Sequence, residues 1–334
     1  MANSNELTLD ETADIPRDAC LSPRAGAYFP RRYLTDFFQF IEQHKADIGV
    51  ITYADLPWGN DWSFAGGYRK ERRAWEAQLA SGKRDPNKAY VLLQYDVDSF
   101  PRRTLGLLRE PTQLAVPANV MIFNKRVDRR RLQSTGELAY TDYRLNDTRL
   151  NRLCGKGFVV GYHMNAYEQA LFDTDLALEI FDRDVRELSE RFNIEFFSAH
   201  GGVPGPDGKN NRHLPFHRSW QHKLRWVHNG HSPRFDAQFS DGGHNSPTLD
   251  PAARDLRDFV RTFRPGERYR ILLHPQYYSN RPQQSRRYGG TPWYDDLLGK
   301  ASDEPLESLW KDVRLGGEMM RPKQRRIFGF RLPR

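Results

Sequence analysis

The residues of this chain that could bind a metal or move a proton come directly after short apolar segments. Carboxylates and neutral imidazoles are the side chains that bind divalent ions and exchange protons near neutral pH. In parallel α/β folds such sites lie where the strands end. Because the positions coincide, we predict one shared site formed by the residues that follow five of these segments: Asp96 and Asp98, His163, His200, Asp241, and His274.

Asp96 and Asp98 are two residues apart, so on an extended segment both carboxylates point to one face. Two like charges there repel each other unless a cation neutralises them, and a divalent ion is the usual partner. Together with His163 and His200, Asp98 gives two imidazoles and one carboxylate. Such a set leaves a position open for water, whose pKa a bound zinc ion lowers to about 7. We therefore predict Asp98, His163 and His200 as metal ligands.

A second group of histidines competes for the metal. His213 and His217 have the i, i+4 spacing of ligands on a helix, but Pro215 lies between them and their neighbours are polar or charged. This composition is typical of a solvated surface, so we rank the group second. It comprises His213, His217, His222, His228, His231 and His244.

The apolar segments alternate with helical patterns from residue 90 onward. The clearest helix is predicted over residues 174–192, where Leu178, Phe181 and Val185 step along one face. Alternating strands and helices indicate parallel strands with crossover connections, so we predict an α/β fold with a barrel-like or open parallel sheet. Seven strands are predicted, at residues 90–95, 116–123, 158–162, 194–198, 224–228, 235–239 and 269–273.

Upstream of these strands, an amphipathic helix is predicted over residues 33–48, and the apolar run at 48–53 is a candidate for a further strand. We divide the chain into three parts on this pattern. They are an N-terminal extension (1–89), a strand-rich barrel domain (90–280) and a C-terminal extension with a basic tail (281–334).

The 334-residue chain has ample apolar surface for a packed core, because hydrophobic residues make up 38% and aromatic residues 13%. Global disorder is therefore excluded. No stretch approaches the roughly 18 apolar residues of a membrane span, and residues 1–14 lack the pattern of a secretory signal, so we expect no span and a cytoplasmic location. The chain has two cysteines, Cys20 and Cys154, too few for a disulfide framework, so His, Asp or Glu must hold any metal.

The net charge of +8 raises the question of a nucleic-acid partner. Residues 313–334 hold seven basic side chains and one acidic one, so this tail carries +6 of the total. Neither the tail nor the arginine run at 129–131 forms part of a DNA-binding motif, so we expect no specific nucleic-acid partner. A nucleic-acid or scaffold protein that uses the basic tail is the most distant alternative.

Five motifs at the predicted strand ends follow one another along the chain: YDVDSFP (95–101), GYHMNAYE (161–168), FSAHGG (197–202), FSDGG (239–243) and LLHPQYY (272–278). In this combination they resemble the polysaccharide deacetylase superfamily, the NodB-homology fold of carbohydrate esterase family 4, and most closely a divergent cytoplasmic branch. The resemblance covers residues 90–280. It implies a distorted seven-stranded (β/α) barrel, here with an N-terminal helical extension. The implied activity is metal-dependent removal of an acetyl group from an acetamido sugar in bacterial surface-polysaccharide metabolism.

The resemblance also implies roles for individual residues. Asp96 would be the general base, Asp98 and His163 metal ligands, and His274 the general acid. Zinc, or another divalent ion in its place, would be the cofactor.

The third ligand does not follow from the family pattern, because Tyr167 stands four residues after His163, where the family has a second histidine. We take His200 as the first choice for this ligand. Glu168 and Asp241 are held in reserve.

A carbohydrate or a carrier-linked sugar is the expected substrate, and the oligomeric state is left open. Contacts to the substrate are predicted from Asp241, Tyr277 and Tyr278, with Trp293 as a further aromatic candidate. Ordinary packing of these aromatic rings is the alternative. A second alternative for the whole chain is a barrel that keeps a carbohydrate pocket but has lost or changed the reaction.

Overall fold

The computed structural model describes residues 29–60, 64–202, 205, 208–215, 222–227, 233–243, 255–279, 310 and 313–315. Within these ranges the strands are β1 Phe29–Pro30, β2 Ile48–Ile51, β3 Ala89–Asp96, β4 Asn119–Ile122, β5 Arg126–Val127, β6 Tyr140–Thr141, β7 Val159–Met164, β8 Phe196–Ala199, β9 Arg225–Trp226, β10 Ala237–Ser240, β11 Arg268–Leu273 and β12 Tyr278–Ser279. The helices are α1 Arg31–Gln43, α2 Phe64–Ala80, α3 Pro101–Leu107, α4 Arg109–Gln113, α5 Arg129–Thr135, α6 Asp147–Cys154, α7 Ala166–Gln169, α8 Thr174–Ser189 and α9 Leu256–Val260.

A parallel sheet lies at the centre of the molecule and confirms the predicted α/β architecture. Seven strands follow one another in the order β10–β11–β3–β4–β7–β8–β9, and β2 pairs with β3 as an eighth. All of these pairs are parallel. Each strand of the seven overlaps one of the seven predicted apolar segments. The seven-stranded parallel core of the expected (β/α) barrel is therefore confirmed.

The N-terminal extension joins this sheet through β2, the candidate strand predicted upstream. β2 pairs with residues 89–92 of β3, and β4 pairs with residues 94–96. β11 pairs with residues 90–95 and occupies one edge of β3. β2 and β4 therefore follow one another along the opposite edge. All eight residues of β3 are buried, as expected for a continuous apolar run at the centre of a parallel sheet.

The register of the strands sets the positions of the residues that follow them. Leu273 of β11 is paired with Tyr95 of β3, so His274 and Asp96 come next at the same edge of the sheet. His163 of β7 is paired with Ser198 of β8. Since these strands run parallel, their carboxyl ends meet at one edge.

α1 buries the apolar face that the sequence predicts for residues 33–48, although the helix itself ends at Gln43. Leu34 and Phe37 are fully buried. The ring of Trp310 packs against those of Phe37 and Phe40, with centroids 5.0 and 5.2 Å apart. A residue of the C-terminal extension therefore covers the N-terminal helix.

α8 confirms the helix predicted over residues 174–192. It begins at Thr174, where the Asp173 side chain accepts a hydrogen bond from the backbone N–H of Leu176 at 2.8 Å. Its buried face includes Phe181 and Val185, as the spacing predicts. Among all the described residues, no helix combines the length and the hydropathy that crossing a bilayer requires.

An ion pair joins α2 to the beginning of β11. The Arg268 guanidinium donates to both carboxylate oxygens of Glu71, and both side chains are completely buried. The same guanidinium lies over the ring of Trp75, 4.7 Å from its centroid. Because both charges are desolvated, each one depends on the other.

We expect Glu71→Gln to lower the free energy of unfolding by about 3–5 kcal/mol, because it leaves the buried Arg268 cation without its counter-charge. Denaturant unfolding followed by circular dichroism measures this change. Glu76→Gln is the matched control on the same helix. It removes a partly exposed ion pair with Arg72 and should cost less than about 1 kcal/mol. Equal losses in the two variants would contradict the assignment.

Candidate metal centre

Three predicted ligands meet at the carboxyl edge of the sheet. Asp98 Oδ1 lies 3.1 Å from His163 Nε2 and 3.2 Å from His200 Nδ1. The two imidazole nitrogens are 2.9 Å apart. Within the part of the chain that the structure describes, this is the one group of three or more such residues whose ligand atoms could share an ion, and all lie within 4.8 Å of one another.

The spacing of these atoms fits a zinc ion. Ligand atoms about 2.0–2.1 Å from a tetrahedral zinc are about 3.3 Å from one another. The observed separations among Asp98, His163 and His200 are 2.9–3.2 Å, so an ion requires the side chains to move apart by only a few tenths of an ångström. Two imidazoles and one carboxylate are also the donor set of catalytic zinc sites.

Neighbouring groups hold the two imidazoles in place. His163 Nδ1 is 2.8 Å from the hydroxyl of Ser198, so its Nε2 is the nitrogen that faces Asp98. The ring of Phe123 stacks on His163 and meets His200 edge-on, with both centroid distances 5.0 Å. The pairing of β7 with β8 brings Ser198 and His163 together, so sheet register determines ligand orientation.

The charges of the site favour metal-binding protonation states. Burial opposes ionisation of Asp98, but His200 and His163 outweigh it and hold the pKa of that carboxyl well below its usual range. Burial lowers the pKa of His200 to about 3, and the Arg129 cation adds to this effect. Burial also acts to lower the pKa of His163, but Asp96 and Asp98 raise it above its usual value. A metal ion therefore competes with a proton mainly at His163.

Asp96 is held by a chain of buried polar side chains. Gln94 Nε2 donates to Asp96 Oδ1 at 2.6 Å. Gln94 Oε1 accepts from the Tyr53 hydroxyl at 2.5 Å and from two nitrogens of Arg270 at 2.8 and 3.2 Å. These three donors fix the orientation of the amide, so its NH₂ group must face Asp96. The other oxygen of Asp96 lies 3.7 Å from His163 Nε2.

His274 forms a pair with Asp241 beside the three ligands. Asp241 Oδ1 is 2.5 Å from His274 Nδ1, and Oδ2 accepts the backbone N–H of His274 at 2.6 Å. His274 Nε2 lies 4.0 Å from Asp98 Oδ2. Burial acts to lower the pKa of His274, but the Asp241 carboxylate outweighs it and raises the pKa to about 10. His274 is therefore protonated at neutral pH.

Two of the residues predicted to contact the substrate, Asp241 and Tyr278, are buried. Asp241 is completely buried and both of its oxygens bond to His274, so it holds that imidazole in place. Tyr278 is only 1% exposed and packs in the core. Tyr277 is half-buried, with its ring 5.3 Å from that of His274, and stays a predicted substrate contact. Trp293 lies outside the described residues.

The two reserve ligands, Glu168 and Asp241, and the competing histidines do not belong to the three-residue group. Glu168 is buried and its Oε1 is 3.5 Å from Arg129 Nη2. His213 is exposed, and His222 Nε2 is 2.9 Å from an oxygen of Asp182 on α8. The other four members of the histidine group, His217, His228, His231 and His244, lie outside the described residues.

Sequence reasoning missed three polar side chains of the site: Gln94, Ser198 and Gln276. Gln94 and Ser198 each stand two residues before a predicted site residue, so they share its face of the strand. A polar residue at that spacing inside an apolar run was the available signal. Gln276 Nε2 donates to Asp98 Oδ2 at 3.2 Å, and nothing in the sequence pattern identifies that contact.

No protein-family model matches the chain, and no curated protein matches it. Among solved structures, it is similar to a family 4 carbohydrate esterase from Bacillus anthracis, with 12% identity and a TM-score of 0.28 over 72% of this chain and 90% of that one. It is also similar to the peptidoglycan deacetylase PdaC from Bacillus subtilis, with 16% identity and a TM-score of 0.30 over 66% of this chain and 86% of that one.

We expect the chain to bind one zinc ion, and Asp98→Asn, His163→Gln or His200→Gln each to weaken binding at least about 100-fold, because each removes a ligand. Ser198→Ala should weaken it about tenfold, since it only releases the orientation of His163. Competition with a chromophoric chelator measures the affinity. His213→Gln, at an exposed histidine, is the control. Wild-type affinity in the His200 variant would show that the third ligand is another residue.

Proposed function

We propose that this chain is a metal-dependent hydrolase that removes the acetyl group from an acetamido sugar. One observation carries the proposal: the ligand atoms of Asp98, His163 and His200 converge, with a carboxylate of Asp96 and an imidazole of His274 within 4.0 Å of them. A metal, a base and an acid close together are the groups that hydrolysis of an amide requires. The resemblance of the five motifs supports a sugar as the substrate.

A divalent ion held by the three ligands would supply Lewis acidity, which polarises the acetyl carbonyl and makes water a better nucleophile at neutral pH. Asp96 acts as the general base. Its Oδ1 is held by the Gln94 amide, so Oδ2 is left to take the proton of the attacking water. The water oxygen bonds to the carbonyl carbon of the acetyl group.

His274 acts as the general acid. It carries a proton at neutral pH because Asp241 stabilises the imidazolium, and the same carboxylate holds Nδ1, which leaves Nε2 to donate. As the bond between the carbonyl carbon and nitrogen breaks, this proton passes to the departing nitrogen. The products are acetate and a free amino sugar.

The direct test is acetate release from acetamido sugars by the zinc-loaded chain. We expect release by the wild type, and a loss of about 100-fold or more in kcat for Asp96→Asn, because the amide cannot take a proton. Asp142→Asn, at an exposed carboxylate paired with Arg144, is the matched control and should retain full activity. The proposal fails if the zinc-loaded wild type releases no acetate from nucleotide-linked, lipid-linked or free acetamido sugars.

The pH profile gives a second test. The general acid must be protonated, so activity is lost as pH rises through the pKa of His274, which the Asp241 carboxylate raises. Asp241→Asn removes the charge that raises this pKa, so we expect the alkaline limb of kcat to move to lower pH by about 1–3 units. An alkaline limb at the same pH in both proteins would show that His274 is not the acid.

A further inference from the structure

Arg126 lies beside the three ligands but bonds to neutral groups. Its Nη2 donates to Ser99 Oγ at 2.9 Å, and its Nη1 donates to Thr141 Oγ1 at 3.0 Å. Ser99 directly follows Asp98, whose carboxylate is close enough to raise the pKa of Arg126, although burial outweighs it and lowers that pKa. A guanidinium has five N–H donors, and these two bonds use two of them.

A bound divalent ion and the His274 imidazolium would both have carboxylate partners. Asp96 and Asp98 match the two charges of the ion, and Asp241 matches His274. Arg126, by contrast, donates its two hydrogen bonds to hydroxyl oxygens, which carry no charge. Arg126 is half-buried, and a half-buried cation close to a metal ion is unfavourable unless an anion binds between the two positive charges.

A second arginine lies on the same segment. Arg129 is the first residue of α5, and its Nη2 is buried without a hydrogen bond, 3.5 Å from Glu168 Oε1. Its charge reaches His200, since it contributes to the low pKa of that imidazole. β5 and α5 therefore bring two guanidinium groups to this end of the sheet: Arg126 bonds to Ser99, the residue after Asp98, and Arg129 lies beside Glu168.

We propose that Arg126, with Arg129 next to it, binds an anionic group of the substrate. The substrate class is then an acetamido sugar that carries a phosphate or a carboxylate, the groups that a guanidinium binds through paired hydrogen bonds. This inference rests on the proposed function for the sugar, and the anion site itself rests on the contacts of Arg126.

Isothermal titration calorimetry of the zinc-loaded full-length chain tests the proposal with three probes: N-acetylglucosamine, its 1-phosphate and its uronic acid. We expect at least one charged probe to bind about tenfold or more tightly than the neutral sugar. The two charged probes distinguish a phosphate from a carboxylate as the recognised group. Equal binding of all three, or no binding of any, overturns the proposal.

Variants locate the contact. Arg126→Met should remove the preference for the charged probe. Binding of the neutral sugar serves as the control that the variant is folded. Arg126→Lys should keep part of the preference, because the charge stays but the paired hydrogen bonds are lost. Arg131→Met, at an exposed arginine of α5 paired with Glu137, is the control. A full preference in Arg126→Met overturns the proposal.

The two proposals fail in different ways. A preference for the charged probe that depends on Arg126, without acetate release, contradicts the deacetylase function and leaves the anion site standing. Acetate release without any preference for charged sugars contradicts the anion site alone.

Discussion

The structure of the site depends on one contact, in which a single oxygen of Asp98 meets two imidazole nitrogens. His163 and His200 come from neighbouring strands, while Asp98 follows β3, two strands away from β7 in the sheet. These strands are parallel and end at one edge of the sheet, where the three residues lie within 3.2 Å of one another. The imidazoles stabilise the half-buried carboxylate of Asp98. A divalent ion would stabilise it more strongly because it brings two charges.

The rest of the site follows from the need to keep this edge ordered. Gln94, itself held by Arg270, donates a hydrogen bond that fixes Asp96. The carboxylate of Asp241 fixes the imidazole of His274. Each bond fixes one atom of Asp96 or of His274 and leaves the other unfixed, as the proposed roles of base and acid require. Buried polar networks of this kind are stable only when every member has its partners, so the same contacts serve the fold.

Much of the fold was predictable from the sequence, because an apolar run bounded by polar residues is a local signal. All seven predicted segments form strands of the sheet, and the three predicted ligands Asp98, His163 and His200 lie together. The burial of Asp241 and Tyr278 was harder to predict. It depends on how β10 and β11 pair, which is not a local property of the sequence. The contacts of Arg126 with Ser99 and Thr141 join residues up to 27 positions apart, and no local pattern carries that information.

We propose that Asp98, His163 and His200 together bind one metal ion. A crystal structure of the zinc-loaded chain, with anomalous diffraction data on both sides of the zinc absorption edge, tests it most directly. We predict one strong anomalous peak about 2.0–2.2 Å from an oxygen of Asp98, from His163 Nε2 and from His200 Nδ1. A peak at other residues, such as His213 or His222, or no peak at this edge of the sheet, would contradict the account.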